Sequence, residues 1–472
     1  MSTMDERVEV ETAPVEPPPA VDPARWEALA REGADMLSRA EGLLRELTGL
    51  FALDYSYRQR ELSLTASENY PSLFVRVLGA ALHGGFYYYD PPFPADAGEW
   101  HFPDSGARAA MASILRGLGT ALFEAQTFDW RPNGGAIAEQ AMMLGTCSRG
   151  DALVHFAHRD GGHFALEDLA GKIGVQVLHL PMVQRTLLVD VDALAHLVRD
   201  HPNVKLVMLD QSFKLRWQPL LEIREALPPG IVLSYDSSHD GALIAGGALP
   251  QPLLQGAHVV HGNTHKTIPG PQKAFVAFAN RSHPSLAAVS NWICPSLQSN
   301  SHHELLAPMV VAFAEIALFG RQYAAQVTRN ARALAAGLVE EGFAVSGEHF
   351  GYTQTHQVHV VLGSADRALW EVTEVLPKAG FRINNVEIPG TNGSFGLRLG
   401  TQAMTRRGMT EVHVAEVARL LARAVLKRED PTRVRHDVEA LLAELPLFPL
   451  RFSFDPLLEE SAGADLLSEA LK

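Results

Sequence analysis

Residues 262–272 read GNTHKTIPGPQ and follow the apolar run AHVVHG, so a single lysine, Lys266, stands beside His265 and between two threonines, just past an expected strand. A lysine hemmed in by small hydroxyls and an imidazole is poorly placed for solvation and well placed to attack a carbonyl. Alone, it reads equally well as a surface charge in a turn. The surrounding chain decides between the two.

Outward from Lys266, the segment from about 105 to 280 alternates helix-like stretches with the short β-branched runs ALVHF, VQVLHL, VKLVMLD, IVLSYD, HVVHG and AFVAFA. Apolar runs of this length without strict alternation predict strands buried on both faces of a mostly parallel sheet, with helices as crossovers. The expected organisation is a disordered, acidic and Pro-rich tail at 1–22 and an amphipathic helix over about 23–50, within a segment 23–104. A large α/β domain at 105–303 and a smaller α+β domain at 304–445 follow, with an extension at 446–472 that suggests no purpose. The small domain opens with a long helix from Glu304 to about Glu341 and holds the strand-like runs THQVHVVL and SFGLRLG. The apolar stretch Leu306–Gly320 is shorter than a bilayer span and carries Glu315, which predicts a buried core helix and no membrane segment.

Composition narrows the function. With 472 residues the chain is long enough for two domains, and 40 Lys and Arg against 54 Asp and Glu give a net charge of −14, which argues against a nucleic-acid partner. The two cysteines, Cys147 and Cys294, lack paired spacing, so no disulfide framework or structural zinc site is expected and a reducing, cytoplasmic setting fits. His155, His158, His163, His261, His265 and the His302-His303-Glu304 cluster could supply metal ligands. They match no H-E-x-x-H or H-x-H-x-D pattern, so no metal is expected.

Ligands gather at the carboxyl ends of parallel strands. There IVLSYD ends in Asp236, with His239 three residues on, and a strand-end carboxylate suits a protonated heterocyclic nitrogen or simply caps a turn. In RPNGG, Asn133 is a good N-cap, and Gly134 and Gly135 leave helix amides open to a phosphate. HRDGGHF offers His163, which reads as a packing residue or as a ring to lie on another ring. Arg398, inside FGLRLG, should be partly buried and needs a carboxylate, from a ligand or from an internal salt bridge. TASENYP places Ser67 and Glu68 before a turn, where they could form a capping box. Together these are the parts that hold pyridoxal 5'-phosphate and an amino acid: Lys266 for the Schiff base, Asp236 for the ring nitrogen, Arg398 for the substrate carboxylate.

On these residues the chain resembles the serine hydroxymethyltransferase-like branch of fold type I pyridoxal phosphate enzymes. TASENYPS is similar to that family's A-S-E-N motif, DGGHF to its H-G-G-H, YDSSHDGALIAGG to its D-x-A-H segment, THKTIPGPQ to its T-H-K-T-L-R-G-P-R, and GLRLGTQAMTRRG to its R-x-G-T-x-A-x-T-x-R-G, in one collinear order over about 55–430. The resemblance implies a large, mostly parallel seven-stranded sheet domain with a smaller C-terminal α+β domain. It also implies that His163 stacks on the cofactor, His239 lies near its hydroxyl, Asn133, Gly134, Gly135 and His265 belong to the cofactor site, and Ser67 contacts substrate. Homodimers with the site at the interface are implied as well.

Three departures point away from folate chemistry. Pro269 and Gln272 stand where the folate-dependent enzymes have arginines, Tyr89 stands at the family's glutamate, and CPSLQSNSHHE replaces a glycine-rich loop. The altered stretches AGEWHFP, FDWRPNGG, HFAHRDGGHFALE, LDQSFKLRWQPL, HGNTHKTIPGPQK, TQTHQVH and AMTRRGM resemble the L-threonine transaldolases of bacterial natural-product pathways, of the obafluorin type. That resemblance implies Tyr87 near the substrate hydroxyl and Glu139 beside the cofactor. It implies retro-aldol cleavage of L-threonine to a glycyl carbanion and acetaldehyde, then addition of a second, aryl aldehyde against an aromatic wall over 86–100. Threonine aldolase or serine hydroxymethyltransferase activity on the same fold is the alternative.

Overall fold

The computed structural model describes residues 23–38, 40–80, 87–88, 102, 106–445 and 447–458. The acidic tail, most of the aromatic segment 86–100 including Tyr89, and the last residues of the C-terminal extension lie outside them. The chain separates into two compact units at Gln59/Arg60. In the first, the expected single helix is two: α1 (Pro23–Ser38) and α2 (Ala40–Gln59).

The second unit is organised by a seven-stranded sheet. Its strands are β1 (Thr127–Asp129), β2 (Ala152–His155), β3 (Gln176–His179), β4 (Val204–Leu209), β5 (Val232–Asp236), β6 (Val259–Asn263) and β7 (Ala274–Phe278), in the order β1-β7-β6-β5-β4-β2-β3. Only β7 runs antiparallel to its neighbours. The period-2 pleat explains why the sequence shows no alternation. Val207 and Leu209, Leu233 and Tyr235, Val260, and Phe275 and Ala277 enter one buried cluster. Their neighbours Leu206 and Met208, Val232, Val259, and Ala274 and Val276 enter a second cluster on the other face. Both faces are apolar because both are covered. Burial of each large side chain contributes roughly 1.5–3 kcal/mol.

A smaller antiparallel sheet holds β8 (Ala344–Val345), β9 (Gln357–Gly363), β10 (Asn384–Glu387) and β11 (Phe395–Gly400), in the order β8-β9-β11-β10. The segment before TASENYP belongs to this sheet's core: Leu62 and Leu64 are buried in it, and their amides donate to Gly380 O (2.8 Å) and Arg382 O (2.9 Å).

The two cores share the helix Leu306–Glu340, which is 35 residues long and spans about 52 Å. Leu306, Met309, Phe313, Ile316, Tyr323, Ala324 and Val327 pack on the large-sheet core. Ala331, Leu334, Ala335 and Leu338 pack on the small-sheet core. By length and composition this helix could cross a membrane, but 56% of its most apolar window is buried inside the protein. It is the core helix that Leu306–Gly320 predicts.

Glu315 fixes this helix to the C-terminal extension. Its carboxylate takes Arg406 Nη2 at 3.0 Å and the Phe454 amide at 3.0 Å, and both charged side chains are buried. Asp455 accepts from the Leu73 and Leu450 amides at 2.8 and 3.2 Å. The extension therefore closes over the helix. Glu315→Ala would leave Arg406 buried and unpaired, and the expected loss of stability is about 3–5 kcal/mol. A urea midpoint unchanged from wild type would contradict this pairing.

Candidate active site

Asp236 ends β5 and is 3% exposed. The strand register sets it opposite His261 on β6, whose Nδ1 lies 3.8 Å from Asp236 Oδ1. Burial pushes the carboxyl up, but His261, Lys266 and Lys214 more than offset that and hold it below the usual carboxylate range. Asp236 is therefore a buried anion. Beneath it, Lys214 Nζ donates to the Asp236 backbone carbonyl at 2.9 Å and to Tyr235 Oη at 3.0 Å, and pairs with Asp240 Oδ2 at 3.0 Å.

Lys266 follows β6 in a short turn. Burial pulls its ammonium below the ordinary lysine value, and Asp236 and Glu139 only partly oppose that, so a neutral amine is accessible at lower pH than for a solvated lysine. Its Nζ lies 3.2 Å from His239 Nε2. His239 is neutral, pushed far down first by burial and then by Lys266 and Arg398, and its ring stacks on His356 with centroids 5.8 Å apart. Asn69, from TASENYP, donates to Lys266 O (2.6 Å) and Thr267 O (3.2 Å) and so fixes the turn that carries the lysine. Glu68 does not form a capping box, because Arg382 holds it through two bonds of 2.6 and 2.7 Å. Ser67 is half-buried beside it.

His163 sits after Gly161, whose φ of +92° is a conformation that favours glycine. Its Nδ1 lies 2.9 Å from Glu139 Oε2, an ion-pair distance whose N–H direction is not that of a linear hydrogen bond. Contact with Glu139 raises the imidazole, and burial raises the Glu139 carboxyl. His265 has a buried Nδ1 without a hydrogen bond and is lowered to about 4, mainly by burial.

Arg398 lies on β11, 7% exposed, with burial lowering it to about 10. The guanidinium stacks over Phe213 (5.0 Å), and Nη1 donates to Ser212 O in a long bond of 3.4 Å. Nε has no partner, and among the described residues no carboxylate pairs with it. Among the described residues the internal salt bridge is absent, and this buried cation remains able to take a ligand's anion.

The helix after RPNGG runs Gly135–Thr146, and its N-cap is Gly134 rather than Asn133. Asn133 is drawn away: its amide donates to Asn300 O at 2.7 Å and its Oδ1 accepts from the buried Lys273 Nζ at 3.0 Å. One expected open amide is also taken, since Gly135 N–H donates to Asn263 Oδ1 at 2.9 Å. The Gly134 and Ala136 N–H groups find no acceptor among the described residues, and a Cβ at Gly134 would meet nothing within 4 Å. The helix start remains able to take an anion. Tyr87 is 54% exposed and stacks on Phe102 at 5.4 Å. No contact among the described residues joins it to Lys266, Asp236 or Arg398.

A buried lysine whose ammonium is lowered, a buried carboxylate, an ion-paired imidazole, an arginine with no carboxylate partner among the described residues and an open helix start are what a phosphorylated pyridine aldehyde and an amino acid require. The comparisons with known proteins agree. The family model described as serine hydroxymethyltransferase matches residues 45–421. The chain belongs to the serine hydroxymethyltransferase family. It is 33% identical to serine hydroxymethyltransferase of Thermococcus kodakarensis over 411 residues, 85% of this chain and 93% of that one. It is 36% identical to that of Pyrobaculum neutrophilum over 329 residues, 68% of this chain and 75% of that one. It is also similar to a crystal structure of L-threonine transaldolase from Pseudomonas fluorescens in internal aldimine state, with 50% identity and a TM-score of 0.89, covering 93% of this chain and all of that one. The fold is that of the type I pyridoxal phosphate transferases, and the enzyme is a transferase that uses pyridoxal 5'-phosphate and small-molecule substrates.

Asn69, Lys214, Asn263 and His356 are the residues a reading of the sequence passes over, and His261 is read there only as a possible metal ligand. All four lie inside stretches singled out for other reasons; Lys214 is a buried lysine, which requires partners.

The lowered Lys266 ammonium has a kinetic consequence. The rate at which apoprotein captures pyridoxal phosphate should rise with pH as the amine loses its proton and level off below pH 10.5, the ordinary lysine value. A plateau reached only above that value in stopped-flow absorbance would contradict the burial argument.

Proposed function

We propose that this enzyme is an L-threonine transaldolase. It cleaves L-threonine to a bound glycyl carbanion and acetaldehyde, then adds the carbanion to a second, aryl aldehyde to give a β-hydroxy-α-amino acid. Arg398 carries this reading, being buried, unpaired and near a lysine suited to carbonyl attack; the 50% identity to L-threonine transaldolase supports it. Pyridoxal phosphate supplies an electron sink for the pair released when the Cα–Cβ bond breaks.

The chain's own groups do the rest. Asp236 would hold a proton on the ring nitrogen. His163, paired with Glu139, would lie on the ring face, and His239 and His265 would border it. The amides near Gly134, with Gly135 and Asn133 shaping the turn, would take the phosphate. Lys266 Nζ would attack the cofactor's carbonyl and release it to the incoming amino acid. Arg398 would bind the amino-acid carboxylate and thereby fix rotation about Cα, which selects the bond that breaks. Ser67 would add a substrate contact, and Tyr87 would hold the β-hydroxyl. A homodimer would complete the site: Leu47, Leu50 and Phe51 of α2 are each more than half exposed and offer apolar area to a second copy.

The test is incubation with L-threonine and benzaldehyde, with product mass recorded. The phenyl-substituted β-hydroxy amino acid, formed with acetaldehyde, is expected. Glycine as the sole amino-acid product would mean an aldolase, and serine cleavage that requires tetrahydrofolate would mean hydroxymethyl transfer. Arg398→Ala should lower kcat/KM for threonine roughly ten- to a hundredfold, the loss of a charge-assisted pair of about 1.5–3 kcal/mol. Unchanged kinetics would remove Arg398 from the site.

A further inference from the structure

Among the described residues, a three-residue group of ligating side chains has no part in the site described above. His155 and His179 end the neighbouring parallel strands β2 and β3 and face each other in register. Glu167, at the start of the helix Glu167–Ile173, reaches both: its Oε1 lies 3.6 Å from His155 Nε2 and 3.3 Å from His179 Nε2. All three donor atoms fall within 4.8 Å of one another. Ligands at about 2.0–2.2 Å around a tetrahedral ion stand roughly 3.3–3.6 Å apart. Two separations already fit, and rotation of the half-exposed His179 closes the third.

The decisive member is His155, which is fully buried. Its Nδ1 lies 3.0 Å from Asp210 Oδ2. Asp210 also accepts from the Phe156 and His163 amides, each at 3.1 Å. A carboxylate that accepts on both oxygens assigns a proton to His155 Nδ1, so that the neutral ring carries its lone pair on Nε2. That Nε2 is buried, makes no hydrogen bond, and faces Glu167 and His179. A carboxylate that orients an imidazole so that its other nitrogen faces two further donors is the usual support of a metal-bound histidine.

We propose that His155, Glu167 and His179 bind a divalent transition-metal ion. Two imidazoles and one carboxylate suit Zn2+, with the fourth position open to water on the exposed side. None of the three holds cofactor or substrate in the proposed reaction. Through Asp210 the ion would brace the loop that presents His163, so its role is structural. Sequence motifs miss this site because β2, β3 and a crossover helix bring its ligands together.

The test uses full-length holoenzyme without a polyhistidine tag, stripped with a chelator and titrated with Zn2+ by calorimetry, with Co2+ absorbance as a second probe. One ion per chain is expected. Affinity should fall at least about tenfold in His179→Ala and in Glu167→Gln, while the cofactor's visible band persists in both as a check on folding. Zn2+ should raise the thermal midpoint of wild type and of neither variant. Absence of stoichiometric binding by wild type would overturn the assignment. So would equal binding by wild type and both variants, which would place the ion on other histidines.

Discussion

Asp236 carries a negative charge inside the protein, at the end of a strand covered on both faces, and the site is built to keep it there. A buried carboxylate ordinarily takes up a proton, because low dielectric disfavours its charged form. Here the strand register sets His261 beside it, Lys214 braces its backbone from below, and Lys266 arrives from the adjoining strand end. The same surroundings pull the Lys266 ammonium down. One interior thus keeps the carboxylate ionised and makes the ammonium beside it easier to deprotonate than a solvated one, the pairing that a pyridinium and a nucleophilic lysine require.

Two cores must meet for this to work. Asp236, Lys266 and His163 come from the large sheet or the loops after its strands, whereas Arg398 comes from the small sheet and Asn69 from the segment anchored on it. The helix Leu306–Glu340 packs on both cores, and Tyr323 on that helix shares hydrogen bonds with Asn69 (3.0 Å) and Thr267 O (3.2 Å). The distance between Arg398 and Lys266 is therefore set by packing remote from both.

Much of this was legible in the sequence for a physical reason. Five of the seven large-sheet strands are apolar runs because both faces are buried; of the two edge strands, Gln176–His179 is only partly buried and Thr127–Asp129, three residues long, left no such signature. Lys266, Asp236 and Arg398 could be picked out because charged residues in a buried strand or just past its end carry a cost that needs a reason. Long-range pairings were not legible. Asn133 reads as a helix cap from local spacing, yet Lys273 and Asn300 recruit its side chain. Likewise, no local pattern shows that Arg382 claims Glu68.

The central claim is that Lys266, and not another buried lysine, captures the cofactor. Lys214 and Lys273 are more deeply buried, but the side-chain nitrogen of each is held by several fixed partners. Reduction of the holoenzyme with borohydride, followed by peptide mass spectrometry, locates the phosphopyridoxyl group directly. It is expected on Lys266 Nζ alone. Its recovery on Lys214 or Lys273 would contradict the account.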